Sequence, residues 1–506
     1  MQKRLTALFA GLMYPLGFAP YDIWPLVPVS IALFFWSLRD STPRSAALTG
    51  LIYGLALFGY GVSWLYVSVH TYGYTDAWLA VLLTGLFCTV LALFFAALGW
   101  LSARLPHSLF AFAGLWLLLD WVRSWLLTGF PWLYPGYAMI DTPLAGLAAV
   151  GGIWLVSLTT VVTGLALYAV LISIQRRKTQ WRSALPIAFV AAASWLIAIP
   201  INPTLWVHAK TETPIPVALL QGNIPQDIKW LTTQQKATQD IYADLTTQVT
   251  QPALVLWPEA AITEFYQDAL PFLQEQGKLV AEQGGSLVSG VPWRVNLMRG
   301  YQYHNSIAVL SGGQGIYHKQ KLVPFGEYVP MQDLLRGIIP FLDLPMSSFT
   351  RGSPTQDNLA AAGMIISPLI CYEALYPELV ARRSHGADLL LTVSNDAWFG
   401  TSNGPLQHFQ MTRMRALETG RWFIRGTNNG VTAVINPLGQ VHARAPQFER
   451  TLLQSSVVPV SGATPYMHTG GWPIWLLSLL LCAPATLKLW RSKHDHLQSD
   501  SEQRHE

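Results

Sequence analysis

The stretch Met364-Ile365-Ile366-Ser367-Pro368-Leu369-Ile370 runs directly into Cys371-Tyr372-Glu373-Ala374-Leu375. The first part is an almost continuous apolar run, which is typical of a strand buried on both faces of a sheet. The second part favours a helix, so Cys371 is predicted to lie where a strand turns into a helix. At such a turn the first helical N–H groups favour a thiolate and can bind an oxyanion. Because a lone cysteine is often simply a small buried hydrophobe, a structural role for Cys371 stays open here.

Further apolar runs of the same kind surround this stretch and are separated by helical patterns. Buried strands and intervening helices in this order predict a layered α/β sandwich rather than a helical bundle or an array of hairpins. The strand-like runs cover residues 216–220, 253–257, 286–290, 306–310 and 387–393, and the helical patterns cover about 232–249, 269–282 and 405–419.

The rest of the chain has the composition of a membrane protein. Apolar residues make up 51% of the sequence and charged residues 12%, whereas a soluble chain carries about 25% charged residues. The deficit falls in residues 1–205 and 471–490, while residues 211–460 resemble an ordinary soluble domain. A span needs about 20 mostly apolar residues, which predicts about eight transmembrane helices, seven in 1–205 and one in 471–490. They lie near residues 5–20, 22–38, 46–69, 77–103, 108–127, 143–173, 182–200 and 472–490.

The distribution of lysine and arginine predicts the orientation of these spans. Cytoplasmic loops of membrane proteins are enriched in Lys and Arg. If the N-terminus is cytoplasmic, the short outside loops near 20–22, 70–76 and 128–142 carry neither residue. We therefore expect both termini, including the tail 491–506, in the cytoplasm and the 211–460 domain outside it. The inside segments then hold Lys3, Arg4, Arg39, Arg44, Arg104, Arg176, Arg177, Lys178, Arg182, Lys488, Arg491, Lys493 and Arg504.

Several classes of function receive no support from the composition. Cys88 and Cys482 lie in apolar runs, so Cys371 has no thiol partner for a disulfide in the 211–460 domain. The 12 histidines, including His318 and His408, show no zinc-type pairing, and we expect no metal and no cofactor. No basic stripe interleaved with aromatic residues is present, so no nucleic acid is expected.

Two more candidate catalytic residues follow predicted strands. Glu259, in Leu256-Trp257-Pro258-Glu259, could act as a base toward a thiol, or could cap a helix. Lys319, in Tyr317-His318-Lys319-Gln320-Lys321, could stabilise a thiolate or an oxyanion, and Lys321 competes for that role. Either lysine could equally be a solvated loop residue.

These motifs together resemble the nitrilase, or carbon–nitrogen hydrolase, superfamily, whose domain is an αββα sandwich. With the membrane bundle attached, and with Phe130-Pro131-Trp132-Leu133 in an outer loop, nearly the whole chain resembles the apolipoprotein N-acyltransferase family. The motifs that carry the resemblance are Gln221-Gly222-Asn223-Ile224-Pro225 with Lys229-Trp230, Trp257-Pro258-Glu259, Lys319 with Leu322-Val323-Pro324-Phe325-Gly326-Glu327, Cys371-Tyr372-Glu373, and Ser394-Asn395-Asp396-Ala397-Trp398-Phe399-Gly400.

The resemblance implies a role for each matching residue. Cys371 is the nucleophile, Glu259 the general base and Lys319, which is in register with the family's lysine, the oxyanion stabiliser. The supporting positions are Glu327, Tyr372 and Glu373, and Trp230 matches a substrate-binding position.

The resemblance also implies a reaction, its partners and its location. An acyl chain passes from the sn-1 position of a phospholipid, expected to be phosphatidylethanolamine, to Cys371 as a thioester. It then passes to the α-amine of the diacylglyceryl-cysteine at the N-terminus of an apolipoprotein. The implied location is the bacterial inner membrane with a periplasmic catalytic domain, and a monomer is expected.

The segment 334–346 is unusually apolar for a loop, and proline interrupts it. We expect Ile338, Ile339 and Phe341 to form a lid that dips into the membrane interface, or else to cover the core of the domain. A second open question is the pair Asp120 and Arg123, which share a helix face inside an apolar run and either stabilise the bundle or meet substrate.

Two other functions compete with acyl transfer. A membrane-tethered amidase or nitrilase would use the same three residues and resolve its acyl-enzyme with water. A transporter or scaffold would carry an inactive domain of this type, although no inverted repeat supports a transporter.

Overall fold

The computed structural model describes residues 1–105, 108–175, 181–298, 300–329 and 348–502. The chain forms two compact units. The helical unit comprises Met1–Ser63, Leu82–Ile201 and Gly471–Glu506, and the sheet unit comprises Asn202–Gly470 together with Trp64–Val81. The short segment Trp64–Val81, which lies in sequence among the predicted spans, thus groups with the sheet unit. The predicted lid residues Ile338, Ile339 and Phe341, and the basic residues Arg176, Arg177 and Lys178, lie outside the described residues.

Long helices in the described part of the chain correspond in sequence to the predicted spans. Three are long and apolar enough to cross a membrane, namely Ala77–Arg104, the helical stretch Pro143–Gln175 and Trp472–Arg491, with a fourth if Pro43–Gly61 and Trp64–Tyr72 form one broken span. The first helix is shorter than predicted because proline has no N–H to continue an α-helix, and a 3₁₀ turn containing Pro15 follows it. The long helices are Gln2–Met13, Leu26–Leu38, Pro43–Gly61, Ala77–Arg104, Leu109–Arg123, Ala148–Gln175, Trp181–Ala198 and Trp472–Glu502.

The pair Asp120 and Arg123 has a structural role in the helical unit. Nη2 of Arg123 lies 2.7 Å from Oδ1 of Asp120, and both side chains are buried. Nη1 of Arg123 donates to the carbonyls of Phe130, at 2.9 Å, and Trp132, at 2.7 Å. The ion pair therefore ties the loop that follows the Leu109–Arg123 helix back onto that helix.

The sheet unit contains two sheets and a short separate strand pair among its described residues. The strands are β1 Val207–Ala209, β2 Ile215–Gln221, β3 Leu254–Trp257, β4 Ser286–Asn296, β5 Tyr301–Ser311, β6 Gly313–Gln314, β7 Ile316–His318, β8 Leu359–Ala361, β9 Met364–Ile370, β10 Leu389–Ser394, β11 Phe423–Thr427, β12 Ala433–Ile435, β13 Val441–Arg444, β14 Thr451–Val457 and β15 Val460–Gly462. One sheet has the order β14-β2-β3-β4-β5-β7, the other β13-β12-β11-β10-β9-β8-β6, and β1 pairs with β15.

The centre of each sheet is parallel, and both faces of the sheets are buried. Strands β2, β3 and β4 run parallel, as do β9, β10 and β11. Every second residue of β2, such as Leu219, packs between the sheets against residues such as Ile366 and Leu391 of the other sheet. The alternate residues, such as Leu220, pack outward against flanking helices. The shorter helices of this unit are Trp64–Val67, Gln226–Lys229, Gln235–Thr247, Leu270–Glu282, Pro377–Arg383, Gly404–Thr419 and Pro465–Thr469.

The result is the layered α/β sandwich that the apolar runs predict. The six predicted strands are present as β2, β3, β4, β5, β9 and β10, and the three predicted helices of this region are present with slightly different ends. The structure departs from the prediction after Cys371, where a 3₁₀ turn, Cys371–Leu375, precedes the Pro377–Arg383 helix. Pro377 explains the interruption, since proline is accommodated at the start of a helix and not in its interior.

Candidate active site

A cleft of about 950 Å³, including its open mouth, lies in the sheet unit at the ends of several strands. Polar side chains form its floor and apolar side chains much of its wall. The residues that line it are Leu65, Ser68, Trp230, Glu259, Ala260, Asn305, Lys319, Val323, Pro324, Gly326, Glu327, Phe349, Cys371, Asn395, Trp398 and Phe399.

Strand ends bring the three predicted catalytic residues to this cleft. Glu259 follows β3, Lys319 follows β7 and Cys371 follows β9. The backbone N–H of Lys319 donates to the carbonyl of Asn305 in β5, at 2.8 Å, which fixes the start of the lysine loop. The sandwich therefore gathers residues that lie up to 112 positions apart in the chain.

Lys319 is held by two carboxylates and lies beside an amide. Its Nζ lies 2.8 Å from Oε1 of Glu327 and 3.5 Å from Oε1 of Glu259. Nδ2 of Asn305 donates to the same two oxygens, at 2.7 Å to Glu259 and 2.9 Å to Glu327. The other oxygen of Glu259 accepts from the backbone N–H of Asn395 at 2.7 Å. These contacts fix the orientation of both carboxylates.

The charge of Lys319 is stabilised within the protein. Burial alone would lower the pKa of its ammonium, but the carboxylates of Glu327 and Glu259 outweigh burial and raise the pKa. Lys321, the competing candidate, occupies a different environment, since its Nζ lies 4.9 Å from the ring centre of Tyr376. The structure thus separates two lysines that the local sequence left equivalent.

Cys371 occupies a strained turn and carries a protonated thiol. Its φ is +50°, a left-handed conformation that side chains other than glycine rarely adopt, and its side chain is partly exposed. Burial, with a further contribution from the charge of Glu259, raises the pKa of this thiol to about 12. At neutral pH the cysteine is therefore a thiol that needs a base before it can act as a nucleophile.

Glu327 and Glu373, two of the predicted supporting residues, organise the backbone around the site. Oε1 of Glu373 accepts from the hydroxyl of Tyr317 and the N–H groups of Gln320 and Lys321, while Oε2 accepts from the N–H of Ile370. Glu373 thereby ties the lysine loop to the strand that carries the cysteine. Glu327 closes its own loop, since its Oε2 accepts from the N–H of Val323 at 2.8 Å.

Tyr372 and Trp230, the other two residues predicted for the site, lie in different surroundings. The ring of Tyr372 packs edge-to-face on Tyr376 with ring centres 5.2 Å apart. Trp230 lines the cleft, and its buried indole N–H has no hydrogen-bond partner among the described residues.

The sequence interpretation missed Asn305 and gave no role to Lys229, although Lys229 lies in one of the motifs. Asn305 is the amide between the two glutamates, and it lies next to His304 and before the apolar run 306–310, so no local pattern marks it. Lys229 is completely buried, and its Nζ donates to the backbone carbonyl of Glu259 at 3.1 Å. Burial lowers the pKa of Lys229 to about 8, although the charge of Glu259 opposes this shift.

A buried charge network lies behind the cysteine. Nη2 of Arg425 donates to Oδ2 of Asp396 at 2.7 Å, and Nδ1 of His408 lies 3.3 Å from the other oxygen of Asp396. Nε2 of His408 lies 3.2 Å from the carbonyl oxygen of Cys371. A sulfur, a carboxylate oxygen and an imidazole nitrogen of Cys371, Asp396 and His408 lie within 4.8 Å of one another. Because the arginine already neutralises Asp396 and His408 already contacts the carbonyl, this set fits a metal ion poorly.

The fold and the cleft define the protein class, and comparison with known families agrees with it. The model described as carbon-nitrogen hydrolase matches residues 216–465, which include both sheets and all the residues that line the cleft except Leu65 and Ser68. A second model, described as the apolipoprotein N-acyltransferase N-terminal domain, matches residues 10–166. The sheet unit is thus a domain of the nitrilase class, attached to helices that are themselves characteristic of one family.

Relatives of nearly full length identify that family. The chain is 48% identical to the apolipoprotein N-acyltransferase of Pseudomonas syringae pv. tomato, over 97% of each chain. It is 45% identical to the enzyme of that name from Azotobacter vinelandii, over 96% of this chain and 95% of the relative. It is 41% identical to that from Photobacterium profundum, over 94% and 93%. The chain belongs to the apolipoprotein N-acyltransferase family: it is an integral membrane acyltransferase of lipoprotein biosynthesis.

Proposed function

We propose that this chain transfers an acyl group from the sn-1 position of a membrane phospholipid to Cys371, and then to the α-amine of the diacylglyceryl-cysteine of an apolipoprotein. Glu259, Lys319 and Cys371 act as general base, oxyanion stabiliser and nucleophile. The observation that carries the proposal is that these three side chains line one cleft, with the ammonium of Lys319 held by two carboxylates.

The first step needs a base because the thiol of Cys371 is protonated at neutral pH, with its pKa raised to about 12 by burial and by Glu259. Glu259 takes the proton as the sulfur attacks the ester carbonyl of the phospholipid. The charge that develops on the carbonyl oxygen is stabilised by Lys319 and by a backbone N–H at the start of the turn after β9. The ester C–O bond breaks, the proton passes from Glu259 to the departing lysophospholipid, and the acyl group stays on Cys371 as a thioester.

The second step uses the same groups, with Cys371 now as the leaving group. The neutral α-amine of the diacylglyceryl-cysteine attacks the thioester carbonyl, and Glu259 removes a proton from the nitrogen. The C–S bond breaks, the thiolate takes the proton back, and an amide is formed. No cofactor or metal enters either step, and Trp230 offers its indole N–H to an oxygen of one of the substrates.

The same proposal includes the setting of the reaction. Both substrates are anchored in a bilayer, so the enzyme belongs in the bacterial inner membrane with about eight spans, both termini in the cytoplasm and the 211–460 domain in the periplasm. The support is the absence of Lys and Arg from the short loops assigned to the outside. Phosphatidylethanolamine is the expected donor, and a monomer contains the complete cleft.

Mass spectrometry of Cys371 after incubation with phospholipid alone tests the chemistry. We expect the mass of Cys371 to increase by one acyl chain, and the adduct to persist until a diacylglyceryl-cysteine peptide is added. Hydroxylamine should release the acyl group, since it cleaves thioesters. The Cys371→Ser variant serves as the control, because it should form no such thioester.

Two outcomes would contradict the proposal. Rapid loss of the adduct to water, with free fatty acid as the product, would favour a membrane-tethered hydrolase. Full acyl transfer by Cys371→Ser would remove the cysteine from the mechanism.

A further inference from the structure

His408 is a buried residue that the mechanism above does not use. It lies on the Gly404–Thr419 helix and is 1% exposed, and a ring nitrogen lies within 4.8 Å of the Cys371 sulfur. Its Nε2 lies 3.2 Å from the carbonyl oxygen of Cys371. This carbonyl belongs to a residue with a φ of +50°, so the contact holds a turn that would otherwise be unfavourable.

The neighbours of His408 determine which nitrogen carries the proton. A carbonyl oxygen can only accept a hydrogen bond, so Nε2 must be the donor toward Cys371. Nδ1 lies 3.2 Å from Nη2 of Arg425 and 3.3 Å from Oδ1 of Asp396, and Nε2 lies 3.4 Å from Nη1 of Arg425. Burial and the charge of Arg425 lower the pKa of the His408 imidazole against the opposing effect of Asp396, which favours a neutral ring whose proton is on Nε2, the nitrogen nearer the carbonyl.

The network that orients His408 is itself fixed. Arg425 in β11 pairs with Asp396 at 2.7 Å, and its Nε donates to the carbonyl of Val431 at 3.2 Å. The pKa of Asp396 is lowered because the charge of Arg425 outweighs the effect of burial. The ring of His408 therefore meets a permanently charged pair rather than groups that change with pH.

The geometry of a peptide bond connects this contact to the reaction. The carbonyl of Cys371 and the N–H of Tyr372 belong to the same planar trans peptide, so they point in opposite directions. When His408 fixes the carbonyl, it also fixes the direction of that N–H. The N–H stands at the start of the turn Cys371–Leu375, where helical N–H groups can donate to an anion.

We propose that His408, held by Arg425 and Asp396, is a positioning residue that orients the Cys371–Tyr372 peptide so that the N–H of Tyr372 can bind the oxyanion during acyl transfer. The inference rests on the proposed acyl-transfer chemistry. Replacing His408 should therefore slow the steps that form a tetrahedral oxyanion and leave the rates of other reactions of the Cys371 thiol unchanged.

A pair of reactions at the same sulfur tests this role. Acylation by p-nitrophenyl octanoate forms an oxyanion, whereas alkylation by iodoacetamide does not. Both are measured at Cys371 by mass spectrometry of the full-length protein, with wild type, His408→Ala and His408→Gln. The activated ester reports on the oxyanion whether or not a phospholipid is the natural donor.

We expect His408→Ala to slow acylation by about 100-fold, the usual effect of losing one oxyanion donor, and to leave the alkylation rate nearly unchanged. His408→Gln should restore much of the lost rate, because its amide N–H can reach the same carbonyl. His385 provides a matched control, since its Nε2 also contacts a carbonyl, that of Met467 at 2.8 Å. His385→Gln should change neither rate.

Two results would overturn the inference. An equal fall in acylation and alkylation would mean that His408 supports the cysteine as a whole, and unchanged acylation would mean that the carbonyl contact has no catalytic consequence. Failure of phospholipid to acylate wild type would instead contradict the proposed donor, and the comparison with the activated ester would still decide the role of His408.

Discussion

At Lys319, two carboxylates supply what a buried ammonium requires. Burial makes an ammonium hold its proton less tightly, as Lys229 illustrates: its Nζ donates to a backbone carbonyl, and burial lowers its pKa to about 8. Lys319 is equally buried, yet Glu327 and Glu259 raise its pKa. The pKa values of two buried lysines in one domain are therefore shifted in opposite directions, and the difference arises from their neighbours rather than from burial.

Asn305 should be nearly as important for the site as the charged residues. Replacing it with alanine removes the two hydrogen bonds that hold Glu259 and Glu327 on either side of Lys319. Hydrogen bonds to charged groups contribute about 1.5–3 kcal/mol, so we expect thioester formation to slow by about 10- to 100-fold. Single-turnover mass spectrometry of Cys371 measures this rate. Asn358→Ala, which removes an amide contact with the carbonyl of Arg383, is the control. A rate within twofold of wild type would show that Asn305 is dispensable.

Lys229 should make the stability of the protein depend on pH in the alkaline range. Its pKa is about 8 in the folded protein, against its usual 10.5, so the unfolded chain binds more protons between these values. The contribution of Lys229 to stability then rises by about 3 kcal/mol as pH increases from about 8 to 10.5. As pH rises through this range, the thermal midpoint of wild type should therefore increase relative to that of Lys229→Met. The exposed Lys278→Met serves as the control, and parallel curves for wild type and Lys229→Met would refute the shift.

At the level of elements, the strand ends explain how much of the site the sequence could predict. Glu259 and Cys371 each follow an apolar run, and such runs reveal strands without any knowledge of the fold. Lys319 follows β7, a three-residue strand that no apolar run predicted. The choice of Lys319 over Lys321 depended on resemblance alone, because both follow the same strand.

Other features depend on packing that local patterns do not encode. Asn305 meets Glu259 only because β3, β4 and β5 are neighbours in one sheet. His408 meets a residue 37 positions earlier, because the Gly404–Thr419 helix packs beside the turn after β9. Strands β11 to β14 were not predicted because they are short or interrupted by polar residues.

The close approach of β4 to the end of β3 makes Gly290 a sensitive position. A Cβ on Gly290 would lie 2.5 Å from the carbonyl oxygen of Pro258 and 2.7 Å from Cα of Glu259. Since backbone atoms cannot yield cheaply, we expect Gly290→Ala to displace Glu259, to slow thioester formation at least about tenfold and to cost about 1–3 kcal/mol of stability. Acylation kinetics and thermal unfolding measure these effects. Gly85→Ala, where a Cβ would meet no atom within 4 Å, should retain both properties. Full activity in Gly290→Ala would mean that the strands separate without moving the carboxylate.

For the whole molecule, composition predicts the number of membrane spans and the placement of Lys and Arg predicts their orientation, whereas helix length bears only on the number. Among the residues that the structure describes, three helices, or four with a broken one, meet the length and hydropathy expected of a span, whereas the apolar runs predict about eight. Proline limits two of the short helices, since Leu26–Leu38 begins directly after Pro25 and Gln2–Met13 ends two residues before Pro15. Short helices can still cross a bilayer together with the turns that extend them, so the orientation needs a test that does not depend on length.

Single cysteines in a Cys371→Ser background provide that test of orientation. Glu212 is exposed near the start of the sheet unit, and Arg44 is exposed in the first turn of the Pro43–Gly61 helix, at the end assigned to the cytoplasm. If the lysine and arginine distribution sets the topology, a membrane-impermeant maleimide added to spheroplasts should label Glu212→Cys directly and Arg44→Cys only after permeabilisation. Cys88 and Cys482 are buried, and the background variant measures their labelling. The opposite pattern would place the cleft in the cytoplasm. Direct labelling of both positions would require an odd number of spans to be gained or lost between residues 44 and 212.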